Sequence, residues 1–138
     1  MRVKDLLGRP PITIGPATPV LEARRIMQER RIRHLLVVED ERLVGIVTDR
    51  DIRLNLPSPA TTLSMWEINY LLARLTVAEI MTKGVIVVEP TRDARDAAVL
   101  LLTEKIGALP VVDGERLLGL VTESDFVRAF AESLIPAS

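Results

Sequence analysis

The sequence excludes several kinds of chemistry by what it lacks. It has no cysteine, so disulfides, thiolate zinc sites, iron–sulfur clusters and a cysteine nucleophile are excluded. It has one histidine, His34, too few for a multi-histidine metal site. No apolar run approaches the roughly 20 residues that cross a bilayer, and the N-terminus lacks a secretory apolar region. We therefore expect a cytoplasmic protein with no membrane partner.

An excess of one charge is also missing. The 138 residues carry 18 Lys and Arg against 19 Asp and Glu, for a net charge of −1. Nucleic-acid-binding domains usually show a basic excess, so we expect no nucleic-acid partner. The residues present, 48% hydrophobic and 27% charged, are typical of a globular chain with one domain or two small subdomains.

The chain contains an internal repeat. Shifted by 74 residues, the sequence matches itself without a gap, so that Val3 meets Val77 and Glu41 meets Glu115. Chance does not produce such a register over some fifty residues, and a fixed period indicates a tandem duplication. We predict repeat 1 over residues 1–56, a linker over 57–75 and repeat 2 over 76–134.

Both repeats begin with a predicted strand and helix. The strands are expected at Pro11–Ile14 and Val85–Val88, because both runs are β-branched and precede a proline turn. An apolar face at helical spacing follows each strand. Thr18 is the expected N-cap of the first helix, and Asp93 or Thr91 that of the second.

Both repeats end with two predicted strands and a further helix. In repeat 1 the strands are His34–Val38 and Arg42–Thr48, joined by an acidic turn, and the helix starts at Asp49. In repeat 2 an Asp-Gly turn joins the strands, and the helix starts at Glu123. Each repeat is therefore predicted to have the order β-α-β-β-α.

The linker predicts a turn-rich segment from Pro57 and then a helix over Met65–Leu75. Ser64 and Glu67 have the spacing of a capping box at the start of this helix. The helix is apolar on most sides, so it either packs on the module or presents a surface to a second subunit. Both alternatives stay open because they can hold together.

One motif occurs at the same place in both repeats. Gly45–Asp51 and Gly119–Asp125 share glycine, two apolar residues, threonine and an aspartate three residues later. With Leu109-Pro-Val-Val112 before the second copy, the chain resembles a tandem CBS-domain pair, or Bateman module. The linker resembles that of bacterial acetoin-utilisation CBS proteins. Because the sequence stops at Ser138, we expect the type without the ACT domain.

The resemblance implies a fold and a ligand class. The implied fold is α/β (α+β), with two pseudo-twofold-related CBS repeats packed as one disc. The implied ligands contain adenosine: AMP, ADP, ATP, S-adenosylmethionine or NAD, bound in clefts between the repeats. No cofactor is required, although magnesium could accompany a polyphosphate.

The residues of the motif suit such a ligand. A helix N-terminus favours phosphate, and the hydroxyls of Thr48 and Thr122 can add a hydrogen bond. Asp51 and Asp125 offer carboxylates to ribose hydroxyls, as the acidic residue of dinucleotide folds does. The alternative is a capping box with no ligand; capping and binding can share the same residues.

The resemblance also implies which residues line each cleft. Residues of both repeats are expected around the second aspartate: Thr18, Ile32, Gly107, Ala108, Leu120, Thr122, Ser124 and Asp125. Residues of both repeats are also expected around the first aspartate. Repeat 1 would supply Arg33, His34, Ile46, Thr48, Arg50 and Asp51, and repeat 2 would supply Arg92, Ala97 and Ile106.

Some of these positions have open roles. The small residues Gly107 and Ala108 leave room for a base or ribose, whereas Arg33 and Arg50 either meet phosphate or stay solvated. His34 is either a hydrogen-bonded structural residue or a ligand contact. In the latter case binding strengthens as the pH falls through the histidine range.

Two function classes remain. The first is a regulatory module that senses an adenosine-containing ligand and acts on an effector protein in trans. The second is a ligand-free oligomerisation module that acts through protein partners. An enzyme is not expected, because the lone histidine has no evident nucleophile partner. The resemblance implies a homodimer through the helices at Val20–Arg30 and Ala94–Leu102.

Overall fold

The computed structural model describes residues 1–8, 10–56 and 62–134. They form two units. The central unit is Ile12–Val85, and the terminal unit combines Met1–Pro11 with Ile86–Ser138. The unit boundaries differ from those of the predicted repeats, because the first eleven residues belong to repeat 1 by sequence but pack with the terminal unit. In the terminal unit, for example, the Val3 N–H donates to the Arg92 carbonyl at 2.9 Å.

The central unit is built on a three-stranded sheet in the order β1-β2-β3. Strand β1 is parallel to β2, and β2 is antiparallel to β3. The strands are β1 (Thr13–Ile14), β2 (His34–Glu39) and β3 (Arg42–Thr48). The helices are α1 (Val20–Arg30), α2 (Asp49–Leu54), α3 (Met65–Arg74) and α4 (Val77–Ile80).

The core of the central unit lies between its sheet and helices. Alternate residues of β2 and β3 point inward with the apolar face of α1, as strand and helix periods require. Burying these side chains supplies most of the stabilisation. The buried members are Val20, Ala23, Met27, Leu35, Val37, Val47, Ile52, Leu72 and Val77.

The terminal unit repeats the helix–strand–strand–helix order that α1, β2, β3 and α2 have in the central unit. Its elements are a 3₁₀ turn (Val3–Leu6), α5 (Ala94–Glu104), β4 (Ala108–Asp113), β5 (Arg116–Thr122) and α6 (Glu123–Ser133). Strands β4 and β5 form an antiparallel pair. The core consists of Val3, Val88, Ala97, Leu101, Leu109, Val111 and Val121.

The strand predicted at Val85–Val88 is reduced to one parallel bridge between Val88 and Val111. The cause lies at the position where the repeats differ. In the central unit the Leu36 N–H donates to the Ile12 carbonyl at 3.3 Å. Pro110 stands at the equivalent position and has no N–H to donate, so the ladder cannot extend in the same way.

The two long repeat helices begin differently. Asp93 caps α5 as predicted, accepting from the Arg95 N–H at 2.8 Å. The predicted cap at Thr18 is wrong: the N-cap of α1 is Pro19, and no side chain caps it. Thr18 lies one residue too early, and its carbonyl accepts from the Val77 N–H at 2.8 Å instead.

The linker helix is confirmed as α3. Its N-cap is Ser64, whose Oγ accepts from the Glu67 N–H at 3.2 Å. Leu72 is buried against the central core, whereas Trp66 and Tyr70 on the opposite face are exposed. The turn-rich segment predicted before it lies at residues 57–61, outside the described residues.

Candidate functional site

The first candidate site is the junction between β3 and α2. Strand β3 ends at Thr48, the N-cap of α2. The Thr48 N–H donates to Asp51 Oδ2 at 2.9 Å, and the Asp51 N–H donates back to Thr48 Oγ1 at 3.1 Å. The junction is therefore a complete capping box, with a half-buried carboxylate at its opening.

Strand β2 brings further predicted residues to this junction. Its register sets His34 opposite Thr48, and the Asp49 N–H donates to the Arg33 carbonyl at 2.9 Å. Arg50 lies exposed in the first turn of α2. Backbone pairing therefore gathers the predicted residues of the first motif at one end of the β2–β3 pair.

The remaining residue of this group, Ile46, lies deeper. It is 8% exposed and pairs with Leu36 in the sheet. Its other edge bridges Thr82, with the Ile46 N–H donating to the Thr82 carbonyl at 3.1 Å. The Thr82 N–H also donates to the Ile46 carbonyl at 2.8 Å, so both backbone groups of Ile46 bond to Thr82, two residues before Thr48.

The second candidate site is the junction between β5 and α6. The Thr122 N–H donates to Asp125 Oδ2 at 2.8 Å, and the Thr122 hydroxyl donates to the same oxygen at 3.2 Å. The other oxygen, Oδ1, accepts from Arg128 Nη1 at 3.1 Å. The second junction is thus also a capping box, in which the Thr122 hydroxyl bonds in addition to the Asp125 carboxylate.

Strand β4 supplies the neighbours of the second junction. Ala108 lies opposite Thr122, and the Glu123 N–H donates to the Gly107 carbonyl at 3.0 Å. Leu120 lies opposite Pro110, and Ser124 is exposed in the first turn of α6. The predicted residues of repeat 2 therefore lie together at this end of β4–β5.

Two of the residues that are predicted around Asp125 belong to the central unit. Thr18 precedes α1 and is half-buried. Ile32 packs against the central core, and its N–H donates to the Met27 carbonyl at 3.0 Å. Their expected role beside Asp125 stays a prediction.

Gly45, the first residue of the motif in β3, has a packing role. A Cβ atom at this position would lie 2.6 Å from Met81 Sδ and 3.0 Å from the Thr82 carbonyl oxygen. The absent side chain lets the Met81–Thr82 segment pair with β3 beside the junction. Close backbone approach thus accounts for glycine at the start of this motif.

Arg128 is a site residue that the sequence reasoning missed. The signal was available, because the shift of 74 residues aligns Arg128 with Leu54 and so marks a difference between the repeats. A cation three residues after an aspartate on a helix is a common ion pair.

The central unit also has a groove of about 560 Å³ between α1 and α3. Glu22 and Arg25 lie on its wall. Arg25 Nε donates to Glu22 Oε2 at 3.0 Å and Nη1 donates to Glu29 Oε1 at 2.9 Å. The hydrogen bond from Arg25 lowers the pKa of Glu22, and both carboxylates raise the pKa of Arg25.

The described residues hold neither a metal-ligand cluster nor a membrane-spanning helix. In residues 1–8, 10–56 and 62–134, no group of three or more histidine, aspartate and glutamate side chains lies close enough to hold a metal. No helix in the described part of the chain is long and apolar enough to cross a membrane. The cytoplasmic location stays a prediction.

The fold and the paired junctions define a class of protein, a duplicated α+β module with the same Thr-x-x-Asp junction in both halves. The CBS domain family matches residues 3–58 and 77–132. The chain belongs to the CBS-domain family and carries a tandem pair of its domains.

Solved structures of CBS proteins match almost the whole chain. The CBS pair of protein MJ0100, in complex with 5′-methylthioadenosine and S-adenosyl-L-methionine, is 31% identical, with a TM-score of 0.79 and coverage of 96% of this chain and 98% of that one. CBSX2 in complex with AMP is 32% identical, with a TM-score of 0.80 and coverage of 97% and 99%. AcuB from Vibrio cholerae, named for acetoin utilization, is 30% identical, with a TM-score of 0.79 and coverage of 97% and 93%. The predicted resemblance and fold class are confirmed.

The chain spans about a quarter of the length of the first curated relatives that it matches. One is the L-aspartate semialdehyde sulfurtransferase of Methanocaldococcus jannaschii, which is 33% identical over 132 residues. That match covers 93% of this chain and 23% of the relative. The similarity therefore concerns a minor part of that enzyme.

Proposed function

We propose that this chain is a non-catalytic regulatory module that binds an adenosine-containing nucleotide at its two Thr-x-x-Asp junctions. The observation that carries the proposal is the repeated carboxylate. Asp51 and Asp125 stand at the same place in two separately packed units, each 2.8–2.9 Å from the backbone N–H of its threonine. Both junctions are capping boxes, and the same residues can cap a helix and bind a ligand. The occurrence of this junction in both domains of a CBS pair favours a binding role in addition to capping.

The chemistry of the junctions suits a ribose and a phosphate. A carboxylate accepts hydrogen bonds from the two adjacent ribose hydroxyls. At the first junction, exposed Arg50 in the first turn offers planar donors for a phosphate. At the second, Gly107 and Ala108 leave room beside the carboxylate because neither carries a long side chain.

The relatives support the ligand class. The MJ0100 pair was crystallised with 5′-methylthioadenosine and S-adenosyl-L-methionine, and CBSX2 with AMP. Adenosine is the part that these three ligands share. We therefore extend adenosine recognition, rather than one particular nucleotide, to this chain, with its output in trans through an effector protein.

A second candidate function, oligomerisation through apolar helices, is favoured by the surface of the terminal unit. Helix α5 exposes Val99 and Leu102, and α6 exposes Val127 and Phe130, at 48% to 78% of their surfaces. Apolar patches of this kind mark interaction sites. A homodimer built on them is compatible with ligand sensing.

A thermal-shift screen tests the proposal. Wild type, Asp51→Ala and Asp125→Ala are heated with AMP, ATP, 5′-methylthioadenosine, S-adenosylmethionine, NAD and, as a control, GMP. A ligand at 100 times its Kd adds about 2.7 kcal/mol of stability, which raises Tm by several degrees. We expect an adenosine-specific shift that at least one variant loses.

The matched control is Asp113→Ala, which removes an exposed aspartate at the end of β4 and should keep the shift. If no adenosine compound raises Tm in wild type, ligand sensing is wrong. The oligomerisation function then becomes the better account.

A further inference from the structure

The two junctions differ at one position in the following helix. Arg128 lies three residues after Asp125, and its Nη1 donates to Asp125 Oδ1 at 3.1 Å. The equivalent position after Asp51 is Leu54, whose side chain is 70% exposed and has no group to donate. The carboxylate of the second junction is thus held by a cation that the first junction lacks.

Counting acceptor positions shows what this difference does. A carboxylate offers about four lone-pair positions, two on each oxygen. Asp125 Oδ2 accepts from the backbone N–H and the hydroxyl of Thr122, and Oδ1 accepts from Arg128. One position remains for a ligand. Two adjacent hydroxyls that donate to this carboxylate must therefore displace an existing donor.

The first junction has more free capacity. Within the described residues of the central unit, the bond shown to the Asp51 carboxylate comes from the Thr48 N–H. The Thr48 hydroxyl accepts from the Asp51 N–H, a bond that uses none of the carboxylate's acceptor positions. A pair of hydroxyls can bind Asp51 without displacing either of these bonds.

We propose that Arg128 competes with the vicinal hydroxyls of the ligand for the Asp125 carboxylate and thereby makes the second junction the weaker of the two. The inference rests on the proposed function. Arg128 is the donor that gives way most easily, because its side chain is 64% exposed. Exposed ion pairs contribute little, so its removal should tighten binding by about two- to fivefold.

The test is isothermal titration with AMP and 2′-deoxy-AMP. The second junction is isolated in an Asp51→Asn background, where Arg128→Leu installs the residue of the first repeat. We expect Arg128→Leu to tighten AMP binding about two- to fivefold. The same change should leave the Kd of 2′-deoxy-AMP unaltered, apart from any effect on the phosphate that both nucleotides share. The reason is that the single remaining hydroxyl needs only the one acceptor position that is already free. Arg128→Lys, which keeps a cation, should restore weak binding.

The reciprocal change is the matched control. In an Asp125→Asn background, Leu54→Arg should weaken AMP binding at the first junction by a similar factor. If Arg128→Leu weakens AMP and 2′-deoxy-AMP equally, Arg128 attracts the phosphate and the inference is wrong. An unchanged ratio of the two Kd values overturns it as well. If wild type binds neither nucleotide, the proposed function itself fails.

Discussion

At the scale of single residues, the first junction depends on the absence of a side chain at Gly45 as well as on the side chains of Thr48 and Asp51. Gly45 lets the Met81–Thr82 segment approach β3 three residues before Thr48, where the strand ends. The sequence analysis expects a backbone role for this glycine without naming the neighbour. The neighbour was not predictable, because it comes from a segment 36 residues further along the chain.

The first residue-scale prediction concerns this contact. Gly45→Ala should lower the free energy of unfolding by about 1–3 kcal/mol, the usual effect of overpacking a tight site. The Met81 side chain can move away from the new methyl group, whereas the Thr82 carbonyl is held by its bond to Ile46. Urea unfolding followed by circular dichroism measures the change.

The control is Gly15→Ala, because a Cβ at Gly15 meets no atom within 4 Å and its backbone is not left-handed. That variant should unfold close to the wild-type urea midpoint. Equal midpoints for the Gly45 variant and wild type would show that β3 tolerates a side chain there.

At the scale of elements, the sequence was most reliable where a cap and a periodic pattern agree. Ser64, Glu67 and the apolar residues of α3 all pointed to the same helix, and the structure has it. The pattern could not choose which side is buried. Packing decides this by burying Leu72 and leaving Trp66 80% exposed.

The element-scale prediction tests the start of α3. Ser64→Ala removes the acceptor of the Glu67 N–H and should cost about 0.5–2 kcal/mol, as other N-cap losses do. Ser64→Asp, which restores an acceptor, should recover most of this loss. The quantity to measure is the urea midpoint at pH 7.

Ser133→Ala serves as the comparison, since its hydroxyl donates to the Phe130 carbonyl at an exposed helix end. It should change the free energy of unfolding by less than about 0.5 kcal/mol. A Ser64→Ala variant as stable as this one would mean that α3 is held by its packing alone.

Strand prediction failed where one residue removed a donor. The repeat alignment treats Pro11–Ile14 and Val85–Val88 alike, but Pro110 replaces Leu36 on the neighbouring strand. The second segment therefore has a bridge at Val88 rather than a strand. The residues of Val85–Val88 do not reveal this difference, because the missing N–H is that of Pro110 on the neighbouring strand.

At the scale of the whole molecule, the duplication predicted the fold class and the family. A period of 74 residues and two motifs of the same pattern are global signals, and the family match over both repeats confirms the family that they predicted. Which segments of the chain make up each unit could not be predicted from the duplication. The first residues join the terminal unit through backbone bonds, such as that from Val3 to Arg92, which carry no side-chain pattern.

The geometry of the candidate site is only partly predictable from the sequence. Backbone pairing gathers Arg33, His34 and Thr48 at one junction, which a motif search can anticipate. The donors that occupy each carboxylate depend on side-chain geometry. The bond from Arg128 to Asp125 is visible in the structure, whereas in the sequence Arg128 is one mismatch between the repeats among many.

The most direct test of nucleotide sensing is a two-dimensional ¹H–¹⁵N NMR titration of the wild-type chain with AMP. The account predicts that the backbone amide signals of Thr48, Asp51, Thr122 and Asp125 move as AMP is added, because each lies in a proposed junction. The amide of Gly114, in the exposed β4–β5 turn, should stay in place. If AMP leaves the four junction signals unmoved, or moves signals elsewhere, these junctions are not the binding sites.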